Sequence, residues 1–187
     1  MKDVEFRSLI VAGIAVGGAI FLSSCGTTST RALPAYERPM AKTDFQTVRT
    51  TAYTHSERGG CHNALDCRLS SRHVMSAASD WSRFPLGTRF RLAGTNDEYI
   101  IDDYGIALVG TDTIDLYKAS RLDMQRWGVR HVDIDILQWG SEEQSLKVLA
   151  PRSKHRCVRQ MVASLQQKKT QQQKELIASL DPKKPQQ

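Results

Sequence analysis

Short hydrophobic runs separated by turn signals fill the middle of the chain. They are rich in Thr, Val, Ile, Tyr and Phe, and several place apolar residues at every second position, which predicts β-strands. In the last run Val132, Ile134 and Ile136 alternate with polar residues, as in a strand that buries one face. The five predicted strands are residues 47–54, 88–94, 98–104, 113–117 and 131–139.

Two segments have helical rather than β spacing. The first, residues 120–128, begins with Ser120 as an N-cap and ends at Gly128, so it predicts a short helix. The second is an apolar stripe of Val158, Met161, Val162 and Leu165, followed by the low-complexity run QQKKTQQQKE. We therefore expect a helical or disordered tail over residues 141–187.

Several short strands with little helix indicate a mainly β domain, which we place at residues 46–140. A small barrel or a sandwich would satisfy this pattern. The barrel is favoured because closure leaves no free sheet edge.

The N-terminus has the layout of an export signal. Leu9–Leu22 is an uncharged apolar run followed by small polar residues, and it is shorter than the roughly 20 residues of a spanning helix, the alternative interpretation. Residues 22–25, LSSC, resemble the bacterial lipobox, which implies lipidation of Cys25. The other interpretation of Cys25 is an incidental thiol beside an ordinary cleavage site.

These features predict a signal peptide over 1–24 and a flexible linker over 25–45. The linker is small, polar and proline-containing without apolar periodicity, as expected of a tether. With Gly26 after the cysteine, we expect a lipid-anchored protein on the periplasmic face of the outer membrane.

Positive charge is concentrated in the tail. The formal net charge is +6, while residues 150–187 alone carry nine Lys or Arg against Glu175 and Asp181. Such a run is either a solvated face or a segment attracted to anionic wall polymers or lipid head groups. Nucleic acid is not an expected partner of an exported protein.

Three cysteines other than Cys25 would meet an oxidising compartment after export. Cys61 and Cys67 lie in a loop rich in Gly and Asn and could close a small disulfide ring. Cys157 could instead take either partner, so three pairings remain open. A zinc site formed by Cys61, His62, Cys67 and His73 is a competing interpretation, although its spacing matches no usual zinc module.

Residues 99–118, YIIDDYGIALVGTDTIDLYK, contain Asp102, Asp103, Asp112 and Asp115. Asp is a poor strand residue and costly to bury without a partner. Asp115 alternates with Ile114 and Leu116, so it faces a groove if those two fill a barrel. Asp102 is expected to face away from Asp103, and Asp112 to form a turn.

Four segments resemble, in order and spacing, the three-aspartate (3D) domain. They are TAYT (51–54), SAASDWSRFPLGTRFRLAG (76–94), IDDYGIALVGTDTIDLY (101–117) and RWGVRHVDIDIL (126–137). This domain is shared by membrane-bound lytic transglycosylase A and small wall enzymes. The resemblance implies a six-stranded double-psi β-barrel with one or two short helices.

The namesake aspartates of that domain correspond to Asp80, Asp103 and Asp115. The resemblance implies that Asp115 is the acid/base and that the other two support it. Clustered carboxylates would disfavour one another's ionisation and raise at least one pKa, which suits proton donation. Tyr104 and Gly105 would shape the turn. Candidates for stacking on sugar rings are Tyr53, Trp81 and Tyr117.

The opposing interpretation makes these aspartates structural. Asp80 and Asp103 would then bond their own turns, and Asp115 would pair with Arg89 or Arg130.

The resemblance implies lytic transglycosylation of peptidoglycan, in which the 6-hydroxyl of the sugar replaces water and a 1,6-anhydro product forms. It implies no metal or other cofactor, and we expect a monomer. Two alternatives are a non-catalytic barrel that binds or loosens the wall, and a structural lipoprotein whose basic tail binds acidic partners.

Overall fold

Six β-strands form the centre of the molecule. A computed structural model describes residues 44–57 and 59–180. The predicted signal peptide, Cys25 and nearly all of the predicted linker lie outside the described residues. The strands are β1 (Asp44–Tyr53), β2 (Val74–Ala78), β3 (Arg89–Leu92), β4 (Glu98–Asp103), β5 (Ile114–Tyr117) and β6 (Arg130–Gln138).

The strands close into a barrel in the order β1-β5-β2-β4-β3-β6. Two neighbouring pairs, β1 with β5 and β2 with β4, are parallel, and the other pairs are antiparallel. Exchanging β1 with β4, β2 with β5 and β3 with β6 gives the same set of neighbouring pairs. This internal two-fold symmetry is expected of a double-psi barrel. The predicted closed, six-stranded barrel is confirmed.

The barrel interior is filled by the apolar residues that alternate along each strand. Ile114 and Leu116 of β5 are fully buried, as are Ile134 and Ile136 of β6. The predicted alternation of these two strands is therefore confirmed. Burying side chains of this size stabilises the fold by about 1.5–3 kcal/mol each.

The described residues contain three α-helices: α1 (Arg121–Trp127), α2 (Glu142–Leu149) and α3 (Arg156–Leu180). Short 3-10 turns lie at Ile106–Leu108 and Ala150–Arg152. α1 has the predicted ends, because the Ser120 hydroxyl accepts a hydrogen bond from the Asp123 N–H and Gly128 follows with a φ of 63°.

The first half of α3 belongs to the core. Val158, Met161 and Leu165 are buried in the same cluster as the barrel interior, so the predicted stripe forms a packed helix. From Gln166 onward every described residue of α3 is exposed. In that part of the chain that the structure describes, no helix is both long and apolar enough to cross a membrane.

The segment between β6 and α2 approaches the residue 85–88 turn closely. A Cβ on Gly140 would lie 2.3 Å from the Leu86 carbonyl oxygen, so only glycine fits there. The Ser141 N–H donates to that same oxygen at 2.9 Å. These contacts fix the C-terminal helices against the barrel.

Truncating a core residue of α3 should destabilise the whole domain. Met161 is 0% exposed, and we expect Met161→Ala to lower the free energy of unfolding by about 2–5 kcal/mol. Ile177, on the same helix, is 62% exposed, and Ile177→Ala should change it by less than about 0.5 kcal/mol. Urea unfolding followed by circular dichroism measures both. If Met161→Ala and Ile177→Ala both changed the free energy of unfolding by less than about 0.5 kcal/mol, α3 would not be part of the core.

Candidate active site

A row of four residues crosses neighbouring strands on the outer face of the barrel. Asp103 of β4 pairs with Ala78 of β2, Ala78 pairs with Asp115 of β5, and Asp115 pairs with Thr51 of β1. Strands lie about 4.8 Å apart, so the two aspartate backbones are separated by roughly 10 Å. The small side chain of Ala78 leaves the space between them open.

A β-bulge puts Asp103 on this face. The β2–β4 register runs from Ala77 opposite Ile101 to Ala78 opposite Asp103, and it skips Asp102. With strict alternation Asp103 would follow Ile101 into the barrel interior. The skipped residue returns Asp103 to the side of Ala78 and Asp115. Bulges often re-aim a side chain next to an active site in this way.

Asp103 and Asp115 line one open cleft of about 530 Å³. Its wall also contains Ile106, which is 78% exposed, an unusual position for a large apolar side chain. The cleft is therefore amphipathic, because the carboxyl groups of Asp103, Asp115 and Glu57 and the apolar side chain of Ile106 all line it. Other lining residues are Tyr53, Thr54, Glu57, His62, Asn63, Ala64, Ala78, Tyr104 and Gly105.

Asp115 has one oxygen fixed within the protein. Its Oδ1 accepts a hydrogen bond of 2.6 Å from the Thr51 hydroxyl. Burial raises the pKa of Asp115, the Thr51 hydrogen bond opposes this, Glu57 adds to it and Arg49 opposes it at longer range. No described Lys, Arg or His forms an ion pair with Asp115.

Asp103 is held more firmly. Its Oδ1 accepts a hydrogen bond of 2.9 Å from the Tyr104 N–H, and the nearby Ala64 N–H also favours its ionised form. Burial is the main reason that the pKa of Asp103 rises to about 7, with a further contribution from the charge of Asp102 and an opposing one from Arg152. Near neutral pH this carboxyl group is thus divided between its two protonation states.

The main source of these shifts differs from the sequence-based expectation. Mutual repulsion among Asp80, Asp103 and Asp115 was expected to raise a pKa, whereas burial is the largest cause at both cleft carboxyls. The like-charge contribution to the pKa of Asp103 comes from Asp102. A desolvated carboxyl prefers its neutral form even without a charged neighbour.

Alternation predicted that Asp102 faces away from Asp103, and the structure differs from this prediction. Asp102 is 5% exposed, and its Oδ2 accepts hydrogen bonds from Ser76 at 2.7 Å and Asn63 at 2.8 Å. The bulge explains the difference, because it breaks the alternation at this residue. Asp102 thereby anchors the loop that covers the cleft.

That loop carries the Ala64 N–H to Asp103. The Asn63 side chain accepts from the N–H groups of Leu65 and Cys67, both at 3.0 Å, which fixes the loop internally. Arg152, from the segment after α2, donates to the Ala64 carbonyl at 2.8 Å. A C-terminal residue therefore helps to hold the site.

Asp80 is not part of the carboxyl pair. Its Oδ1 accepts from the N–H and hydroxyl of Ser82 at 2.8 and 2.7 Å, and its Oδ2 accepts from the Gly110 N–H at 2.6 Å. It lines a different groove, beside α3. The expected three-aspartate cluster is thus a pair, and Asp80 ties its own turn to the loop that leads into β5.

The arginine pairing proposed for Asp115 is not found. Arg89 pairs with Glu98, and Arg130 donates to the backbone carbonyls of Arg126 and Trp127. Asp112 is exposed and pairs with Arg83. Among the described residues, the cleft carboxyls therefore retain their oxygens for a ligand and for the hydrogen bonds given above.

Of the aromatic candidates, Trp81 cannot stack on a sugar because it is 0% exposed. Its indole N–H donates to the Asp103 carbonyl at 2.8 Å, and its ring packs edge-on against Tyr104 at 5.2 Å. Trp81 is thus a core residue that fixes the turn after β4. Tyr104 and Gly105 do lie at the cleft.

The other two tyrosines lie side by side. The Tyr53 and Tyr117 rings are 5.5 Å apart, with Tyr53 in the cleft wall and Tyr117 bonded through its hydroxyl to His55 at 2.9 Å. The buried Tyr53 hydroxyl has no hydrogen-bond partner among the described residues. Burial and the nearby aspartates raise its pKa, so it stays protonated.

None of the three disulfide pairings that the sequence left open is formed among the described residues. Cys157 is free, as are Cys61 and Cys67. In the hairpin that contains them the Leu69 N–H bonds the Cys61 carbonyl and the Asn63 N–H bonds the Cys67 carbonyl, so the two cysteines are not opposite each other. The described residues bring together no group of three His, Cys, Asp or Glu able to hold a metal, including the set proposed for zinc.

Three contributors to the site were not predicted: Thr51, Ala78 and Arg152. Thr51 lies two positions before Tyr53 in a β-run, so alternation places both on one face, but its bond to Asp115 depends on a parallel pairing that the sequence does not reveal. No local signal marks Ala78 or Arg152, because their roles depend on contacts distant in sequence.

The raised pKa of Asp103 should make stability depend on pH. An unfolded Asp has a pKa near about 3.9, so the folded state loses stability as pH rises from about 4 to the folded value of about 7. Asp103→Asn removes this loss. We expect the variant's advantage over wild type to grow across that interval by about 2–4 kcal/mol and then level off.

Denaturant unfolding at pH 4 to 8.5 measures this difference. Asp66→Asn, at an exposed position of the covering loop, is the control and should show a nearly constant difference. A constant difference for Asp103→Asn as well would contradict burial of an ionisable Asp103.

No protein-family model matches the chain, and no curated protein matches it. The likeness to the three-aspartate domain therefore rests on the four segments quoted above. What the protein does must be inferred from its two cleft carboxyls and the surfaces around them.

Proposed function

We propose that this protein cleaves peptidoglycan glycan strands by lytic transglycosylation, with Asp115 as the acid/base. One observation carries the proposal: Asp115 and Asp103, both with raised pKa, face the same open cleft, and no described basic side chain forms an ion pair with either. A raised pKa increases the protonated fraction of a carboxyl group, and the protonated form can donate a proton to a leaving oxygen. The four segments that resemble the three-aspartate domain point to the same chemistry.

Asp115 suits the acid/base role better than Asp103. Thr51 fixes Oδ1 of Asp115, whereas the backbone N–H groups of Tyr104 and Ala64 favour the ionised form of Asp103. One Asp115 oxygen is thus available to a ligand while the other holds the carboxyl in place. Proton transfer by a positioned group needs this combination.

In the proposed reaction the protonated Asp115 gives its proton to the glycosidic oxygen between N-acetylmuramic acid and N-acetylglucosamine. The bond from that oxygen to the muramic C1 breaks, and positive charge develops on the muramic ring. The ionised Asp115 then takes the proton of the muramic 6-hydroxyl as its oxygen bonds to C1. Asp115 ends protonated again, the product is a 1,6-anhydro sugar, and no water is consumed.

Asp103 acts as an electrostatic and positioning group. About half of it is ionised near its pKa of about 7, and the ionised form stabilises the positive ring. Two N–H groups keep its carboxylate stationary, so no reorganisation is needed during the reaction. Tyr53 contributes its ring to the wall of the cleft.

The sequence-based predictions of export, lipid anchoring at Cys25 and an envelope location fit this function, since the substrate lies outside the cytoplasm. Those features remain predictions. The exposed Ile106 at the cleft rim offers an apolar contact for the face of a sugar ring. No metal or other cofactor takes part in the proposed steps.

Replacing the acid/base should abolish the anhydro product. Full-length Asp115→Asn, incubated with purified peptidoglycan, should form 1,6-anhydro-muropeptides about 10²–10⁴-fold more slowly than wild type, since an amide cannot donate the proton. Mass spectrometry separates anhydro products from hydrolysed ones, which carry one extra water. Asp112→Asn, at an exposed carboxyl outside the cleft, should retain wild-type rates.

Other outcomes would overturn the proposal. Hydrolysed ends without anhydro ends would indicate an ordinary glycosidase with two working carboxyls. Wall binding without any product would favour the non-catalytic barrel, and neither binding nor product would leave a structural role.

The hydrogen bond from Thr51 should set the pH range of activity. It lowers the pKa of Asp115, so Thr51→Val should raise that pKa. Because the reaction starts from protonated Asp115, the alkaline limb of the rate profile should move to higher pH. Thr51→Ser keeps the hydroxyl and should keep the wild-type profile. An unshifted Thr51→Val profile would mean that Asp115 does not set that limb.

A further inference from the structure

A second pocket, of about 460 Å³, lies next to the cleft. Tyr117 lines it, and the Tyr117 ring is 5.5 Å from that of Tyr53 in the cleft wall. The two pockets therefore share a wall formed by these tyrosines. The charged residues that line the second pocket are Lys118, Asp123, Arg126 and Arg130.

Lys118 is the central group of this pocket. Its ammonium donates to the Tyr99 hydroxyl at 2.7 Å and lies 4.5 Å from the centre of the Trp127 ring. It forms no ion pair with any described carboxylate. Burial lowers its pKa, while Asp97 and Asp123 oppose this from a distance. A partly desolvated cation without a bound counter-ion favours an anionic ligand.

The surrounding charges add to this preference. The Arg130 guanidinium stacks on the same Trp127 ring, 4.2 Å from its centroid. Hydrogen bonds to backbone carbonyls orient it. Asp123, the single carboxylate in the lining, accepts from the Ser120 hydroxyl at 2.6 Å and lies 3.8 Å from Arg126. Three cations thus face one carboxylate that already has partners.

We propose that the Lys118 pocket binds a carboxylate of the peptide stem carried by the muramic acid in the cleft, an inference that rests on the proposed function. The backbones of Asp115 and Lys118 are about 10 Å apart along an extended chain, and the two pockets meet at Tyr53 and Tyr117. A peptide substituent on the sugar being cleaved spans that distance with three residues. The pocket would then select peptide-bearing glycan over naked chains.

The test uses full-length Asp115→Asn, so that substrate is not consumed, and measures binding by calorimetry. The ligands are a peptide-bearing muropeptide tetrasaccharide, neutral chitotetraose and inorganic phosphate. We expect an added Lys118→Met change to weaken muropeptide binding on the order of tenfold or more, and chitotetraose binding less than about twofold. Lys118→Arg should restore much of the affinity.

The matched control is Lys154→Met, which removes an equal charge at an exposed position outside both pockets. It should leave both affinities unchanged. Added salt should reduce the difference between the muropeptide and chitotetraose, because the selective contact is ionic.

Three results would overturn the inference. Equal weakening of both glycans by Lys118→Met would give Lys118 a structural role, and no weakening of either would leave the pocket without a part in binding. Phosphate binding that depends on Lys118, with muropeptide binding that does not, would assign the pocket to a free anion. None of these three results contradicts the proposed cleavage. That proposal is overturned if the protein with its native Asp115 forms no anhydro product.

Discussion

The candidate site depends on one irregularity in the barrel, the register skip opposite β2. Ala78 pairs with both Asp103 and Asp115, and it can do so on one face only because Asp102 is left out of the ladder. A regular β4 would direct Asp103 into an interior filled by Ile101, Ile114 and Leu116. The bulge therefore interrupts the regular pairing, and as a result two carboxyl groups lie at the surface. The small side chain of Ala78 leaves the space between them open.

Burial is the main reason that the pKa values of these two carboxyl groups are raised. Two aspartates about 10 Å apart on neighbouring strands interact weakly through partly solvated space, so repulsion between them cannot be the main reason for their raised pKa values. The loop bearing Asn63 and Ala64 covers Asp103, and the loss of water there favours the neutral acid. The same loop is held by Asp102 and Arg152, so acidity at the site depends on residues that never contact a substrate.

Local pattern predicted much of the fold but only part of the site. Alternation located β1, β3, β4, β5 and β6, and capping signals located α1. β2 was not predicted because its sequence, VMSAA, is poor in strand-forming residues. This strand nevertheless separates the two aspartates. Asp115 could be placed from Ile114 and Leu116 alone. Three other features could not be predicted, since each depends on pairing between distant segments. They are the hydrogen bond from the Gly110 N–H to Asp80, the burial of Trp81 and the bulge at Asp102.

The C-terminal segment has a larger part in the site than its composition indicates. Its Gln- and Lys-rich part is exposed from Gln166 onward, whereas Leu149, Val158, Met161 and Leu165 complete the core. Arg152 donates to the Ala64 carbonyl in the loop beside Asp103. The backbone N–H groups of Tyr104 and Ala64, and to a smaller extent the Arg152 guanidinium, favour ionised Asp103 and limit the effect of burial on its pKa, which rises to about 7. A carboxyl balanced near neutrality responds to small changes in its surroundings. The charge of Asp103 therefore depends in part on a residue that lies beyond α2 in the chain.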